Sequence, residues 1–249
     1  MAGVVASPPV ELVFRVVGTD DVEAFRASGY TQVDELGALL GEFGHSLEDF
    51  ESIYDFGCGC GRLTVPLLDR APHARLAASD IDEEAIAWMQ EHVPGVDVRL
   101  NSWLPPLTFD PGSFDLVIAL SVFTHLPEDY QDAWLAELER VTRPGGIVVA
   151  TVHGEAHWRQ TWDVNYATAP RRLRLRSRFL ALSRRLRGFV HWRGDGWERI
   201  FPDFYHTSWH RPAYVRRHWS RWFEVLGIRE GTNPAEHDLV VLRRRAAQL

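Results

Sequence analysis

From about residue 50 onward, short apolar runs alternate with stretches of helical periodicity. Ile53–Phe56 reads as a strand ending in a glycine turn, followed by a helix through Leu63–Arg70. Arg75–Ser79 reads as a second strand, and Asp82–His92 as a helix with acids in its first turn. Asp97–Leu100 follows as a third strand. Phe114–Leu120 (FDLVIAL) is nearly continuous in apolar residues, as in a strand covered on both faces. Pro127–Arg140 has helical spacing, with Leu135 and Leu138 on one side. Gly145-Gly146 breaks the chain before a fifth strand, Ile147–Thr151. Such alternation predicts an α/β fold, a parallel sheet with helices on both faces. Residues 1–50 carry helical signals over Asp20–Ala27 and Thr31–Phe43, which predict a helical cover ahead of a main domain at 51–249. Residues 155–212 interrupt the pattern as an insertion rich in Arg, Trp and His. A helix over Pro212–Trp222 and a closing strand pair, Phe223–Ile228 and Leu239–Arg243, complete the reading.

Composition narrows the class. The 249 residues are 45% hydrophobic and 24% charged, an ordinary globular balance. Cys58 and Cys60 are the only cysteines, so no disulfide framework is expected and a reducing compartment fits. The apolar runs are short and broken by Arg or Asp, and residues 1–10 lack a basic start followed by an apolar stretch. A soluble, cytoplasmic protein is the expectation. There is no lysine, which excludes Schiff-base chemistry and a Walker-type phosphate loop. Residues 1–140 hold 25 acids and 7 arginines, whereas residues 141–249 hold 9 acids and 20 arginines. The second half therefore meets something anionic or packs against the acidic first half.

The stretch Asp55-Phe-Gly57-Cys58-Gly59-Cys60-Gly61-Arg62 carries the most chemical information. Glycines at a strand end let a ligand approach the backbone, and the helix N-terminus that follows favours anionic groups. A dinucleotide fingerprint needs a third glycine where Arg62 stands. Asp55 would repel a pyrophosphate but suits an ammonium group, and Asp80, ending the next strand, stands where carboxylates bind ribose hydroxyls. An amino-acid end, a ribose and a base in one ligand match both acids, and S-adenosylmethionine has all three.

With these residues in place, the sequence resembles the class I S-adenosylmethionine-dependent methyltransferases over about residues 50–152. Asp55, Gly57, Cys58, Gly59 and Gly61 match the first motif, whose loop lies against the methionine portion of the cofactor. The resemblance assigns Asp80 to the ribose hydroxyls, Ile81 to packing on adenine and Asn101 to the adenine amino group. It places Leu120-Ser121 near the sulfonium, and Arg143–Gly146 at the turn before the fifth strand. It implies a Rossmann-like, seven-stranded sheet of order 3-2-1-4-5-7-6, S-adenosyl-L-methionine as cofactor and S-adenosyl-L-homocysteine as product. The implied activity is methylation of an O or N atom of a small molecule, such as a sugar or secondary metabolite. After the fourth strand the chain reads Leu120-Ser-Val-Phe rather than an Asn-Pro-Pro-Tyr type, which counts against an adenine base or glutamine amide as acceptor. Two rivals remain at this stage: a nicotinamide-dependent oxidoreductase, and a cofactor-binding subunit that recruits a partner without catalysis.

Methyl transfer needs alignment, and a hydroxyl acceptor also needs a base. Of the eleven histidines, His153 and His125 follow the fifth and fourth strands, where open α/β sheets place ligands, and are the candidate catalytic groups. Tyr205, His206 and His210 form a candidate polar and aromatic wall for the acceptor. The H-x3-H spacings at 153/157 and 206/210 are assigned to irregular loops, so no metal is expected. Residues 171–193 contain nine arginines and no acid, with Leu175, Phe179, Leu182, Leu186 and Phe189 as an apolar stripe at helical steps. A helix there fits a solvated cap, a lid over an anionic acceptor, a carrier-protein dock or a membrane-surface helix. No nucleic-acid module is present, and the sequence does not fix the oligomeric state.

Overall fold

A computed structural model describes residues 5–166, 171–192, 204–231 and 237–246, and side chains for these outside 162–178. The chain divides into two compact units, residues 1–118 with 140–146, and residues 119–139 with 147–249.

The first unit contains four parallel strands, β1 (Ser52–Phe56), β2 (Arg75–Asp80), β3 (Val96–Leu100) and β4 (Phe114–Ala119), ordered β3-β2-β1-β4. Every residue of β1 and β4 is buried, as expected of parallel strands covered on both faces. Tyr54, Phe109 and Phe114 pack ring to ring beside them, at centroid distances of 4.8–5.1 Å. Asp115 fixes the entry to β1. Its buried carboxylate accepts from the backbone N–H groups of Glu51 and Ser52, both at 2.9 Å, and pairs with Arg143 at 3.3 Å.

Four helices belong to this unit: α1 (Val10–Val17), α2 (Val22–Glu42), α3 (Thr64–Arg70) and α4 (Glu83–His92). The helical cover differs from the expected pair of helices. The two expected segments are one helix, α2, which runs unbroken through Gly29; a Cβ at Gly29 would stand 2.1 Å from the Arg62 carbonyl oxygen, so the close approach there takes a glycine. The additional helix, α1, buries Leu12 and Val13 against Phe25, Cys60 and Ala85.

The second unit contains α5 (Glu128–Val141), β5 (Thr142–His153), α6 (Glu155–Tyr166), α7 (Arg171–Arg187), β6 (Phe189–Trp192), β7 (Thr207–His210), α8 (Pro212–His218), β8 (Phe223–Arg229) and β9 (His237–Arg244). Strand β9 lies antiparallel between β5 and β8, which is the 5-7-6 part of the expected order. Among the described residues there are nine strands rather than seven. The extra pair is the β6–β7 hairpin inside the insertion, whose aromatic-rich four-residue runs lack the alternation that marks a longer strand. His153 ends β5, pairing with Trp209 of β7 on one edge and His237 of β9 on the other. No helix among the described residues is long and apolar enough to cross a membrane.

Candidate functional site: a glycine loop and a histidine cluster

The glycine loop links β1 to α3. The backbone N–H groups of Gly57 and Cys58 both donate to the Ser79 carbonyl, at 2.8 and 3.1 Å, which ties the loop to the end of β2. Gly57, Gly59 and Gly61 have φ of 81°, 52° and 89°, the region L side chains avoid. A Cβ on Gly59 would stand 2.6 Å from Val16 of α1, and one on Gly61 2.5 Å from the Met89 sulfur of α4, so both close approaches require glycine. Cys58 and Cys60 are buried, and burial raises both thiols, Cys60 to about 12. They act as small fillers beneath the loop.

Asp80 braces this loop. Its two oxygens accept from the N–H groups of Gly59 (2.8 Å) and Asp82 (2.9 Å), leaving lone pairs for further donors. Burial raises the Asp80 pKa. Asp82 has a different role: it caps α4 through Glu84 and Ala85, and pairs with Arg15 of α1 at 3.0 Å. Asp55 lies under the loop, 2% exposed, and accepts from the Thr64 hydroxyl at 2.6 Å. Burial pushes its pKa up to about 6, against the pull of Thr64 and of the Arg62 charge.

Asn101 is oriented by a relay. The Ser79 hydroxyl donates to Asn101 Oδ1 at 2.7 Å, so the Tyr54 hydroxyl is the donor in its 2.6 Å bond to Ser79. Asn101 Nδ2 donates to the Ser102 carbonyl, leaving one lone pair and one N–H for a ligand. Ile81 is half-buried, and Leu100, Trp103 and Leu104 are 49%, 51% and 43% exposed around Asn101. A carboxylate, an amide with spare capacity and exposed apolar side chains fit a ribose joined to a flat base. Thr64, Tyr54 and Arg15 are additions to the residues read from sequence. Nothing in the local pattern marks Arg15, which acts across 67 positions.

In the second unit, seven histidines gather on β5, β6, β7, β9 and their flanking segments. His153 is 4% exposed. Its Nδ1–H donates to the Ser208 carbonyl at 3.1 Å, so Nε2 is the lone-pair nitrogen and accepts from His237 Nε2–H at 3.1 Å. The His157 ring stacks on His153 at 3.7 Å, and its Nδ1 accepts from the Trp209 indole at 3.0 Å. Burial drives both histidines down, His157 to about 4 and His153 well below the usual value, where neighbouring histidines add to the effect. His125 is half-buried, stacked on Tyr205 at 4.4 Å and edge-on to His153 at 5.8 Å.

The loop after β4 joins this cluster through the backbone. His206 N–H donates to the His125 carbonyl at 3.0 Å, and Ser208 N–H to the Thr124 carbonyl at 2.8 Å. Gln131 donates to the Phe123 and Leu126 carbonyls, so its Oε1 accepts from His210 Nε2–H at 2.9 Å. His210 is buried and held down at about 3, first by burial and then by the Arg184 charge. Leu120 and Ser121 follow β4. Ser121 takes φ of 60°, and its N–H donates to the Thr151 hydroxyl at 2.6 Å.

The first H-x3-H pair is not in an irregular loop, since His153 ends β5 and His157 lies on α6; of the second, His206 lies in the irregular segment before β7 and His210 closes β7. No group of three or more metal-ligating side chains among the described residues is arranged to hold a metal ion. His191 and His237 are the cluster members the sequence did not mark, and 84 residues separate His237 from its partner His153.

Residues 53–146, which contain the whole glycine loop with Asp80 and Asn101, match the family described as a methyltransferase domain. Over that span the match supports the resemblance to class I S-adenosylmethionine-dependent methyltransferases. Among curated methyltransferases it is similar to trans-aconitate 2-methyltransferase of Azoarcus sp., 32% identical over 41% of this chain and 39% of that one. It is also 33% identical to malonyl-[acyl-carrier protein] O-methyltransferase of Hahella chejuensis, over 52% of this chain and 48% of that one. The chain thus spans less than half the length of these relatives. The methyltransferase fold extends further: 1,6-didemethyltoxoflavin-N1-methyltransferase of Burkholderia thailandensis aligns over 90% of this chain and 81% of its own, with a TM-score of 0.57 at 15% identity.

Proposed function

We propose that this chain transfers a methyl group from S-adenosyl-L-methionine to an O or N atom of a small-molecule acceptor. The observation that carries the reading is the braced glycine loop, with Asp80 joined to Gly59 N–H and Asn101 oriented by Ser79. The cofactor supplies an electrophilic methyl on a sulfonium. Asp80 binds the ribose hydroxyls while holding the loop, Asn101 meets the adenine edge, and Ile81 packs on its face. Leu120 and Ser121 complete the cofactor contacts. Asp55 acts from beneath, holding Thr64 at the start of α3.

On the acceptor side the reading assigns Tyr205, His206 and His210 to the wall. His125 is the half-buried ring that reaches the acceptor, and His153 is its positioning residue, held by Ser208 and His237. An anionic acceptor is favoured by Arg184. Its guanidinium is buried, stacks on Trp158 at 4.7 Å and donates from Nη1 to Glu155 at 2.8 Å, while Nε and Nη2 have no partner among the described residues. The names of the two curated relatives, trans-aconitate and malonyl-carrier O-methyltransferases, support the same acceptor class.

Calorimetric titration with S-adenosyl-L-homocysteine tests the cofactor assignment. Each charge-assisted ribose bond is worth ~1.5–3 kcal/mol, so Asp80→Ala should weaken binding at least about tenfold. Unchanged affinity would remove Asp80 from the ribose site. A parallel thermal-shift panel with NAD should show no stabilisation, and a shift with NAD alone would favour the oxidoreductase reading.

A further inference from the structure

Helix α7 buries the side that its sequence pattern does not advertise. The apolar stripe would be expected to face the protein, yet Phe179, Leu182 and Leu186 are 73%, 54% and 74% exposed. Phe189, the next residue of the stripe, lies beyond the helix end and is buried in β6. The helix docks instead through Leu180 and Arg184, one turn apart. Leu180 packs on the cluster of Trp158, Val190 and Trp209, and Arg184 is held by Trp158 and Glu155. Positions 180 and 184 lie on the face opposite 179, 182 and 186, so the docking contacts are satisfied with the stripe turned outward.

Exposed Phe and Leu at i, i+3 and i+7 form a contiguous ridge, and isolated surface apolar residues do not recur in that way. Arg185 is exposed beside this ridge, and Arg187 is exposed with one bond to Glu128. In sequence, residues 171–193 contain nine arginines and no acid in a chain whose formal net charge is −7. An apolar ridge on a segment that carries arginines and no carboxylate of its own is the chemistry of a helix lying in the plane of an anionic bilayer surface. A helix of 17 residues lies along ~25 Å of such a surface.

We propose that α7 docks the protein on an anionic phospholipid surface, with Phe179, Leu182 and Leu186 inserted and arginines at the headgroups. The proposal is independent of the methyl-transfer reading, since it rests on α7 alone. Its test is flotation of the full chain with vesicles of phosphatidylcholine containing about a third phosphatidylglycerol, against pure phosphatidylcholine. Wild-type protein should float with the anionic vesicles and not with the neutral ones, and release as sodium chloride rises from about 0.05 to 0.5 M. Phe179→Ser/Leu186→Ser should lower the bound fraction at least about tenfold, and Arg185→Glu should weaken it to a smaller degree. Both sites are exposed, so the thermal midpoint should stay at the wild-type value, and that measurement separates lost docking from lost folding. Wild-type protein that stays unbound, or a folded double-serine variant that floats equally well, would overturn the proposal. So would binding to a purified acidic carrier protein in the absence of vesicle binding, which would make α7 a protein dock.

Discussion

Replacing Gly29 by alanine is the sharpest test of how the helical cover and the glycine loop depend on each other. A Cβ at this position would lie 2.1 Å from the Arg62 carbonyl oxygen, and 3.2 Å from both the Arg62 carbonyl carbon and Pro66 Cγ. Ordinary carbon–oxygen contact begins about 1 Å further out, so α2 and the loop must separate by roughly that distance, or the helix must bend. The obstacle is backbone, which cannot rotate away as a side chain would. Overpacking of this kind costs ~1–3 kcal/mol, and a backbone clash belongs at the upper end. Against it stands the helix-propensity gain of alanine over glycine, about 1 kcal/mol. The net expectation is a loss of ~2 kcal/mol, or a midpoint lowered by about 4–8 °C at this chain length. Gly37, on the same helix, provides the control: its Cβ would meet only Leu47, at an ordinary 3.6 Å. Gly37→Ala should therefore be neutral or stabilising by up to ~1 kcal/mol. Because Arg62 adjoins Gly61, Gly29→Ala should also weaken S-adenosyl-L-homocysteine binding at least about fivefold, while Gly37→Ala leaves it unchanged. Urea denaturation and calorimetry read both effects. If Gly29→Ala stabilises the protein as Gly37→Ala does, and affinity is untouched, α2 does not brace the loop.

His153→Ala should lower turnover by ~10²-fold with cofactor affinity nearly intact, and the pH profile of kcat should change shape; normal turnover at every pH would release His153 from the acceptor side. The buried histidines also predict a pH response of stability. His210 is held at about 3 and His157 at about 4, below their unfolded values, so each contributes stability that is complete above about pH 6.5 and lost as pH falls. Asp55 and Asp238, raised to about 6 by burial, act in the opposite sense between about pH 6 and 4, because the folded state takes up their protons first. His210→Asn removes one proton taken up on unfolding. The slope of its unfolding free energy against pH should differ from wild type by ~1.4 kcal/mol per pH unit between about pH 6 and 4. Parallel curves for the two proteins would show that His210 is not held neutral by the fold.

The parallel half of the fold was legible because burial on both faces leaves a direct trace in sequence. The run FDLVIAL reads as a strand covered on both faces, and its first six residues are β4, all of them buried. Asp55, the three loop glycines and Asp80 were legible for a related reason: strand ends, positive φ and an acid after β2 occur at fixed short spacings. The helical cover was harder. Val10–Val17 reads as a β-branched run, and its helix is stabilised by Leu12 and Val13 against Phe25, Cys60 and Ala85, which are distant in sequence. Gly29 carries an ambiguous signal, since a glycine that permits close approach looks the same as one that breaks a helix.

The insertion shows where periodicity stops being informative. Within its stripe, Phe179, Leu182 and Leu186 share a face of α7, because helix geometry decides that, whereas Phe189 falls in β6. Which face meets the protein depends on partners that the local pattern does not contain. Trp158 and Glu155 on α6 offer an aromatic face and a carboxylate, and that pair accepts an arginine better than it accepts a leucine. Arg184 is therefore drawn inward and the three apolar side chains turn out, against their ordinary preference. The same limit applied to the histidines. Spacing paired His153 with His157, which does stack on it, but the histidine that hydrogen-bonds to His153 is His237, across the β5–β9 pairing. In both cases a short motif was read along one element while the decisive neighbour came from another strand or helix. Sequence patterns of this kind name the members of a face, and the energetics of the opposing surface choose its direction.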